Sequence, residues 1–494
     1  MIELRTARRL GALLLGALAA CGGDPPVAPA PTGPVGLERG AEARPFERVV
    51  LVTLDTLRAD HVSCYGYPRA TTPFLDSLAA RGVRFTRAMA AISHTAPSHA
   101  TMLTGLVPAV HGVLQNGGTL APGTPDLAAT FAAEGYATGA FLNVKFLSGI
   151  AASFGTLGVR AMGKDRRPQT GGDVVDAAIE WLRGQAGARF LLWVHLYDPH
   201  KWKDLVLEQA GRPGPIWSGA SPPDFLARVA ALHGLPAPRA GEPYRVDWHV
   251  ERQGKESVDF TSAEGFLRAI DAYDMLTLYA DQQVQRLHAA LEALALPGRT
   301  LWVVTSDHGE GLASHGVAGH GGRIYQEQLH VPLVVHASDG SLGPRVVEEL
   351  VGHVDLFPTL VEVLGLRLSG HEPLFEGRSL WPLLEGREVP WSPRAVFAQR
   401  RPPEGEDDPE HELVYSVQDE RHKLIVQEPG TDELYDLVAD PREARNLGGD
   451  HADATRLRAA LDVRLRAFGT LGGGATEEVP EEWLQELRDL GYVR

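Results

Sequence analysis

Four stretches of the chain consist almost entirely of β-branched and other apolar residues. They cover residues 49–54, 190–196, 301–305 and 333–335. Unbroken apolar runs of this length are typical of parallel strands that are buried on both faces of a sheet. The pattern therefore predicts a buried sheet whose strands lie far apart in the chain.

Amphipathic helical patterns separate these runs, and a further strand is predicted at residues 136–142. Strands that alternate with helices in this way indicate an α/β fold with a doubly wound, mostly parallel sheet. The predicted helices cover residues 72–82, 127–135, 173–183 and 267–294, the last with room for one break.

Polar residues follow three of the predicted strands at the point where each strand ends. Asp55 ends the first strand, Asp198 and His200 follow the second, and Asp307 with His308 follows the third. Open α/β sheets bind their ligands at the carboxyl ends of the strands. We therefore expect these side chains to meet at one edge of the sheet.

The segment 93–105 has the residue order of a capped helix. Pro97 suits the first helical position, since its φ angle is fixed and its missing N–H is not needed there. Gly105 suits the left-handed end of the helix. Thr95 would then lie at the mouth of the helix, where free N–H groups and the helix dipole favour an anion. Its hydroxyl is either an ordinary cap or a nucleophile for a sulfate or phosphate ester.

The chain has 494 residues, which is long enough for two or more domains. Its net charge of -16 argues against a nucleic-acid partner. We predict a catalytic α/β domain over residues 47–390, and a smaller α+β subdomain with a tail over residues 391–494, where short strands and turns take over. Residues 201–262, rich in Pro and Gly, are interpreted as an irregular loop region near the substrate.

The N-terminus carries a targeting signal. A segment with three arginines precedes an apolar stretch at residues 10–20, which is too short to span a bilayer. The stretch ends in small residues followed by Cys21, which resembles the lipobox of bacterial lipoproteins; a plain signal peptide with a chance cysteine is the alternative. We expect a signal peptide at residues 1–20, a lipid on Cys21 that anchors the protein to a membrane of the cell envelope, and a disordered tether at residues 21–46.

Short motifs are spread along the whole chain in a fixed order. They lie at residues 52–61, 95–105, 198–200, 305–310, 320–321, 325–333, 354–360, 433–437, 440–441 and 487–492. This set resembles the sulfatase family, within the alkaline phosphatase superfamily. The resemblance covers roughly residues 47–494, and the order and spacing of the motifs are more specific than any single motif.

The resemblance implies a metal-dependent hydrolase of sulfate or phosphate esters. Carried over motif by motif, it implies Asp55, Asp307 and His308 as metal ligands and Thr95 as the nucleophile. At the same site we expect His200 and His320 to act in catalysis, and His99, Asp198 and His315 to contact the substrate.

A divalent cation is the cofactor that these residues favour. Pure calcium sites use oxygen ligands, so His308 favours Zn²⁺ or Mn²⁺, with Ca²⁺ and Mg²⁺ as alternatives. His200 and His320 could instead hold a second ion together with Asp198, as in two-metal phosphoesterases.

Three positions depart from the family pattern. Family sulfatases carry Cys or Ser where this chain has Thr95, and oxidise that residue to formylglycine. Threonine cannot give that aldehyde because its Cβ carries a methyl group, so no formylglycine is expected. His99 stands where the family usually has Arg, and Thr56 stands where a second metal-binding acid is expected.

The threonine bears on the substrate. A formylglycine hydrate can expel sulfate by cleaving its own C–O bond, whereas a threonine adduct must be opened by water at sulfur or phosphorus. Threonine nucleophiles occur in relatives that act on phosphoesters. The sequence thus leaves open a sulfuric or phosphoric ester hydrolase, a phosphoryl or phosphoglycerol-type transferase acting on envelope lipid or glycan, and a non-catalytic binding protein.

Overall fold

The computed structural model describes most of the chain between residues 46 and 470. The described residues are 36–39, 46–159, 169–185, 187–209, 212, 214–235, 262–369, 377–387, 391, 394–400, 413–428 and 430–470. The predicted signal peptide, Cys21 and the motif at 487–492 lie outside them. Within the described ranges, no helix has both the length and the apolar character needed to cross a bilayer.

A sheet of eight strands forms the centre of the fold, in the order β5-β4-β6-β2-β7-β8-β3-β9. All neighbouring strands are parallel except β8, which runs antiparallel to both β7 and β3. This confirms the predicted mostly parallel α/β sheet. The strands are β2 (Arg48–Leu54), β3 (Val83–Met89), β4 (Ala137–Leu142), β5 (Thr156–Gly158), β6 (Phe190–Leu196), β7 (Thr300–Thr305), β8 (His330–Ala337) and β9 (Arg345–Gly352).

Alternate residues of the central strand β2 fill two separate cores. Val49 and Leu51 belong to the core on one face of the sheet, and Val50 and Val52 belong to the core on the other face. All four side chains are almost completely buried. A strand covered on both faces has no polar side to present to water, which explains its unbroken apolar run.

Helices cover both faces of the sheet, as predicted. They are α1 (Pro73–Ala79), α2 (Thr95–Thr104), α3 (Pro108–His111), α4 (Leu127–Ala133), α5 (Gly171–Arg183), α6 (Trp202–Glu208), α7 (Phe225–Leu232), α8 (Ala263–Ala293), α9 (Gln326–Leu329), α10 (Leu356–Val361) and α11 (Trp381–Leu384). Short 3-10 turns lie at Ala59–His61, Ser63–Tyr65, Lys145–Leu147, Pro199–Lys201, Ser314–Gly316, His353–Asp355 and Glu362–Leu364.

Two predictions about the helices need correction. The stretch 201–262 is not wholly irregular, because it contains α6 and α7, whose apolar side chains pack against α8 in a third core that includes Trp202, Phe225 and Phe266. Residues 236–261 of that stretch lie outside the described residues. The long helix α8 is continuous, with no break.

A second, antiparallel sheet follows the large one. Its strands β11 (Val396–Gln399), β12 (Leu413–Gln418), β13 (His422–Glu428) and β14 (Glu433–Asp436) pair in sequence order, and helix α12 (Ala452–Thr470) packs on the sheet. This is the predicted small α+β unit. In addition, β1 (Gly36–Arg39) pairs antiparallel with β10 (Leu366–Ser369), so part of the predicted tether forms a strand.

Candidate active site

Parallel strand pairing brings the predicted metal ligands together. Strands β2 and β7 are neighbours in register, and Asp55 and Asp307 follow their carboxyl ends. Ligand atoms of Asp55, Asp307 and His308 all lie within 4.8 Å of one another, and the three side chains are completely buried. The expectation that side chains from these strand ends meet at one edge is therefore met by Asp55, Asp307 and His308.

Each aspartate in this cluster has one oxygen held by the protein and one without a partner. Oδ1 of Asp307 accepts hydrogen bonds from the backbone N–H groups of Thr56 at 3.0 Å and His308 at 2.9 Å. Oδ2 of Asp55 lies 3.0 Å from Nε2 of His195. The other oxygens, Oδ1 of Asp55 and Oδ2 of Asp307, are buried without a hydrogen-bond partner. Buried, unpartnered carboxylate oxygens fit a divalent cation.

The hydrogen bonds of His308 indicate which of its nitrogens carries the proton. Nδ1 lies 2.9 Å from the carbonyl oxygen of Gly309 and therefore donates to it. In the neutral ring, Nε2 then keeps a lone pair, and it lies 3.4 Å from both Oγ1 of Thr95 and Oδ2 of Asp307. A backbone carbonyl on the far nitrogen is how proteins orient histidine ligands of metals.

The two carboxylates influence each other's ionisation. Burial, reinforced by the negative charge of Asp307, raises the pKa of Asp55 well above its usual range. Burial acts in the same direction on Asp307, but His308, His99 and His195 outweigh it and lower the pKa of Asp307. Asp55 therefore holds a proton more readily than Asp307, and a bound cation would displace that proton.

Thr56 occupies a backbone conformation that is unusual for its residue type. Its φ angle is 60°, in the left-handed region that β-branched residues rarely adopt. Its N–H donates to Asp307, and its carbonyl accepts a 2.6 Å hydrogen bond from the Tyr273 hydroxyl. The turn that follows Asp55 is thus held by contacts that also fix the second carboxylate.

Helix α2 presents Thr95 to this cluster. The helix begins at Thr95, two residues earlier than Pro97 was expected to start it, and ends at Thr104; Gly105 caps it with a left-handed φ angle of 70°. Pro97 is tolerated in the first turn because no intrahelical acceptor faces its nitrogen there. The N–H of Ala96 donates to the side-chain oxygen of Asn116 at 2.8 Å. Thr95 is completely buried at the helix mouth.

His99 lies one turn further along α2, and both of its nitrogens contact protein groups. Nδ1 donates to the carbonyl of Thr95 at 2.8 Å, and Nε2 lies 3.0 Å from the hydroxyl of Thr53, which also accepts from Trp193. Burial lowers the pKa of His99 to about 3. This neutral ring joins the helix that carries Thr95 to the central strands. Its predicted contact with substrate remains a prediction.

His200 and His320 lie together beside the cluster. Their ring centroids are 4.9 Å apart, and that of His320 is 4.5 Å from that of His308. Nδ1 of His320 lies 3.2 Å from Oε1 of Glu310, whose Oε2 accepts from the indole N–H of Trp202 at 3.0 Å. Burial opposes the ionisation of Glu310, but His320 outweighs it and the pKa falls to about 2. An ionised carboxylate therefore orients His320.

Asp198 and His315 lie in other surroundings. Oδ1 of Asp198 accepts from the N–H of Gly171 at the start of α5. His315 pairs with Glu327 at 2.9 Å, stacks on Tyr325, and its Nε2 lies 3.2 Å from the carbonyl of Glu443 next to the small sheet. Their contacts with substrate also remain predictions. Among the described residues, two groups of side chains are compact enough to hold an ion, and neither combines Asp198 with His200 and His320.

The sequence interpretation missed three residues that contact this site. They are His195, Asn116 and Glu310. His195 could have been noticed because it is the one titratable side chain in the otherwise apolar run 190–196. Glu310 lies in a quoted motif but received no role, and Asn116 follows no recognisable pattern.

Comparisons with known proteins agree with this geometry. The family model described as Sulfatase matches residues 47–366. The model described as N-sulphoglucosamine sulphohydrolase, C-terminal, matches residues 321–469. Together they cover both the large sheet and the small one.

Similar proteins include enzymes that act on two kinds of ester. The Delta 4,5-hexuronate-2-O-sulfatase of Bacteroides thetaiotaomicron is 26% identical over 435 residues, which are 83% of this chain and 86% of the relative. Human arylsulfatase A is 28% identical over 466 residues, 84% of this chain and 86% of the relative. The crystal structure of the phosphonate monoester hydrolase of Agrobacterium radiobacter has a TM-score of 0.61 at 23% identity, covering 85% of this chain and 95% of that one.

Proposed function

Because this chain belongs to the sulfatase family, an ester hydrolase family, we propose that it hydrolyses a sulfate or phosphate ester with Thr95 as nucleophile. The observation that carries the proposal is the position of the Thr95 hydroxyl. Its Oγ1 lies 3.4 Å from Nε2 of His308, at the edge of the cluster of Asp55, Asp307 and His308. A hydroxyl beside a dication site is the arrangement that nucleophilic attack on an anionic ester requires.

We propose that Asp55, Asp307 and His308 hold one divalent cation, with Zn²⁺ or Mn²⁺ favoured by the imidazole. When bound, the ion neutralises the negative oxygens of the ester and lowers the pKa of an adjacent hydroxyl. The Thr95 proton would then leave to solvent. The buried N–H groups of the first turn of α2 and the dipole of the helix favour negative charge at Thr95.

The reaction then has two balanced halves. In the first, the Thr95 oxygen bonds to sulfur or phosphorus as the bond to the leaving oxygen breaks, and His320 gives the leaving oxygen a proton. In the second, water attacks the same sulfur or phosphorus, returns a proton to His320, and releases the Thr95 oxygen. Glu310 orients His320 for this role through their 3.2 Å contact.

The nucleophile favours the phosphoester over the sulfate ester on chemical grounds, while the two sulfatases named above favour the sulfate ester. Threonine has a Cβ methyl and cannot form formylglycine, so its adduct must be opened by water. A phosphate adduct on Thr95 can be opened by water at phosphorus, so we expect faster turnover of phosphate esters than of sulfate esters.

A substrate panel tests the proposal. Aryl sulfate, phosphate monoester and phosphodiester substrates are assayed with the chelated protein and with Zn²⁺, Mn²⁺, Ca²⁺ or Mg²⁺. We expect turnover to require an added metal, to be lost in Thr95→Ala, and to persist in Thr95→Ser, which keeps the hydroxyl. Aryl sulfate or phosphate turnover that survives Thr95→Ala would exclude Thr95 as nucleophile.

A transferase is the second candidate, and Thr95 is also its motivation. An adduct on a hydroxyl residue can pass to a sugar or lipid hydroxyl as well as to water. Adding glycerol or a glycan acceptor to the phosphodiester assay distinguishes the two activities, because a transferase would give the new ester in preference to free phosphate.

We further propose that the chain is a lipid-anchored protein of the cell envelope. The support is the basic segment, the apolar stretch and Cys21 in lipobox order. Metabolic labelling with a radioactive fatty acid tests it: the label should enter the wild type and be absent from Cys21→Ala.

A further inference from the structure

We infer that His195 is a positioning residue for the proposed cation site, holding one oxygen of Asp55 so that the other oxygen faces the ion. Nε2 of His195 lies 3.0 Å from Oδ2 of Asp55. A carboxylate that binds a cation only accepts hydrogen bonds, so Nε2 is the donor in this contact. Oδ1 of Asp55, on the other side of the same carboxylate, is buried and has no partner.

The fold places His195 beside Asp55 through strand register. His195 pairs with Thr53 in the parallel ladder between β2 and β6, two residues before Asp55. Its side chain is completely inaccessible to solvent. The ring lies edge-on to His99, with centroids 4.9 Å apart, and stacks on Tyr197 at an interplanar angle of 30°, with centroids 6.2 Å apart. These neighbours restrict the rotation of the ring and so fix where Nε2 points.

Asp55 needs such a partner more than Asp307 does. Asp307 is fixed by two backbone N–H groups, those of Thr56 and His308. The carboxylate of Asp55 is fixed by the contact with His195. In this chain Thr56 stands at the position of a second acid, so one carboxylate fewer is available to bind the ion. The affinity for the ion therefore depends more strongly on the orientation of Asp55.

Direct coordination by His195 is the competing interpretation. Ligand atoms of His99, His195 and Asp307 also lie within 4.8 Å of one another. However, Nδ1 of His99 donates to the Thr95 carbonyl and Nε2 lies against the Thr53 hydroxyl, so that ring has no lone pair directed at an ion. We therefore assign His195 to Asp55 and not to a second ion.

Two variants separate the possibilities. In His195→Gln the side-chain amide can reach the place of Nε2 and donate to Asp55, whereas in His195→Asn the shorter amide cannot. Both keep a polar group of moderate size, so both are expected to fold. Binding of Mn²⁺ and Zn²⁺ to chelated, full-length protein is measured by titration calorimetry. We expect about 10- to 100-fold weaker binding in His195→Asn and recovery to within about threefold of wild type in His195→Gln.

A second readout distinguishes positioning from catalysis. At saturating metal, kcat of His195→Asn should approach that of the wild type. The substitution is expected to weaken metal binding, whereas the chemical step of the metal-loaded enzyme does not involve His195. The matched control is His336→Asn. His336 is a buried histidine of β8 that pairs with Trp302 in the sheet, far from the carboxyl ends of the parallel strands. This control should bind metal like the wild type.

The inference rests on the proposed cation site, and the outcomes of the two can be told apart. Absence of metal binding to the wild type would refute the cation site itself. Wild-type affinity in His195→Asn would refute only the role of His195. Equal weakening in His195→Gln and His195→Asn would assign a ring nitrogen as a ligand and also overturn the positioning role.

Discussion

Replacing Glu310 with glutamine should slow the enzyme most on substrates with poor leaving groups. Both oxygens of Glu310 accept hydrogen bonds, Oε1 from His320 at 3.2 Å and Oε2 from Trp202 at 3.0 Å. Glutamine offers one acceptor oxygen and one donor NH₂ group. It cannot satisfy two donors, so either the indole of Trp202 loses its acceptor or the NH₂ group faces Nδ1 of His320.

The magnitude follows from the environment of the pair. The side chains of Glu310 and His320 are 2% and 8% exposed, so solvent screens their contact little. A hydrogen bond to a charged group contributes about 1.5–3 kcal/mol. If the E310Q substitution removes this contribution from the protonated His320, the rate of a step that needs its proton falls about 10- to 160-fold.

The assay is kcat/KM over a series of aryl and alkyl esters at saturating metal. Nitrophenols leave without a proton, so E310Q should act on them almost like the wild type. The loss should grow steadily towards alkyl esters, whose leaving oxygen needs the proton from His320. The control is Glu327→Gln, which breaks the equivalent pair with His315 and should leave the dependence on leaving group unchanged. A uniform loss across the series, or no loss with alkyl esters, would refute His320 as the acid.

Two further predictions concern the cation and the pH dependence of the stability of the fold at His111, the last residue of helix α3. Thr56→Asp restores the acid that the family carries, and should tighten Mg²⁺ and Ca²⁺ binding at least about tenfold by calorimetry, since hard cations prefer carboxylate oxygens; unchanged affinity would contradict this. Burial lowers the pKa of His111 to about 3, and its Nδ1 accepts from the N–H of Val113. On lowering the pH, His111 is therefore protonated in the unfolded state before it is protonated in the folded state. The free energy of unfolding decreases as the pH falls below about 6.5, by about 2 kcal/mol at pH 5. In His111→Asn, the amide oxygen can accept the same hydrogen bond but does not titrate. Urea unfolding should therefore show a decrease in the free energy of unfolding at pH 5 that is about 2 kcal/mol smaller than in the wild type. Equal decreases in the two proteins would refute a neutral, buried His111 ring.

The elements that are defined by local pattern could be predicted from the sequence. The strand at 190–196 was placed with its observed bounds, and the strand that ends before Asp55 was placed to within one residue. Strand β3 was missed because its burial alternates only in part along Val83–Met89, and the pattern resembles a surface loop. The start of α2 was misplaced because proline is acceptable anywhere in the first helical turn.

The same distinction applies to the site: some of its residues could be predicted from the local sequence, whereas others are brought there only by the fold. The meeting of Asp55, Asp307 and His308 could be predicted because all three lie within three residues of the end of a buried strand, and parallel strands end at one edge; their role as metal ligands is what the resemblance to the sulfatase family implies. The partners of these residues could not, because His195 reaches Asp55 only through the register of β6 against β2, where a shift of one residue would turn its ring to the opposite face of the sheet. Glu310 likewise meets His320, which lies ten positions further along the chain. The residues proposed to do the chemistry are thus readable in the sequence, whereas those that orient them become visible only in the fold.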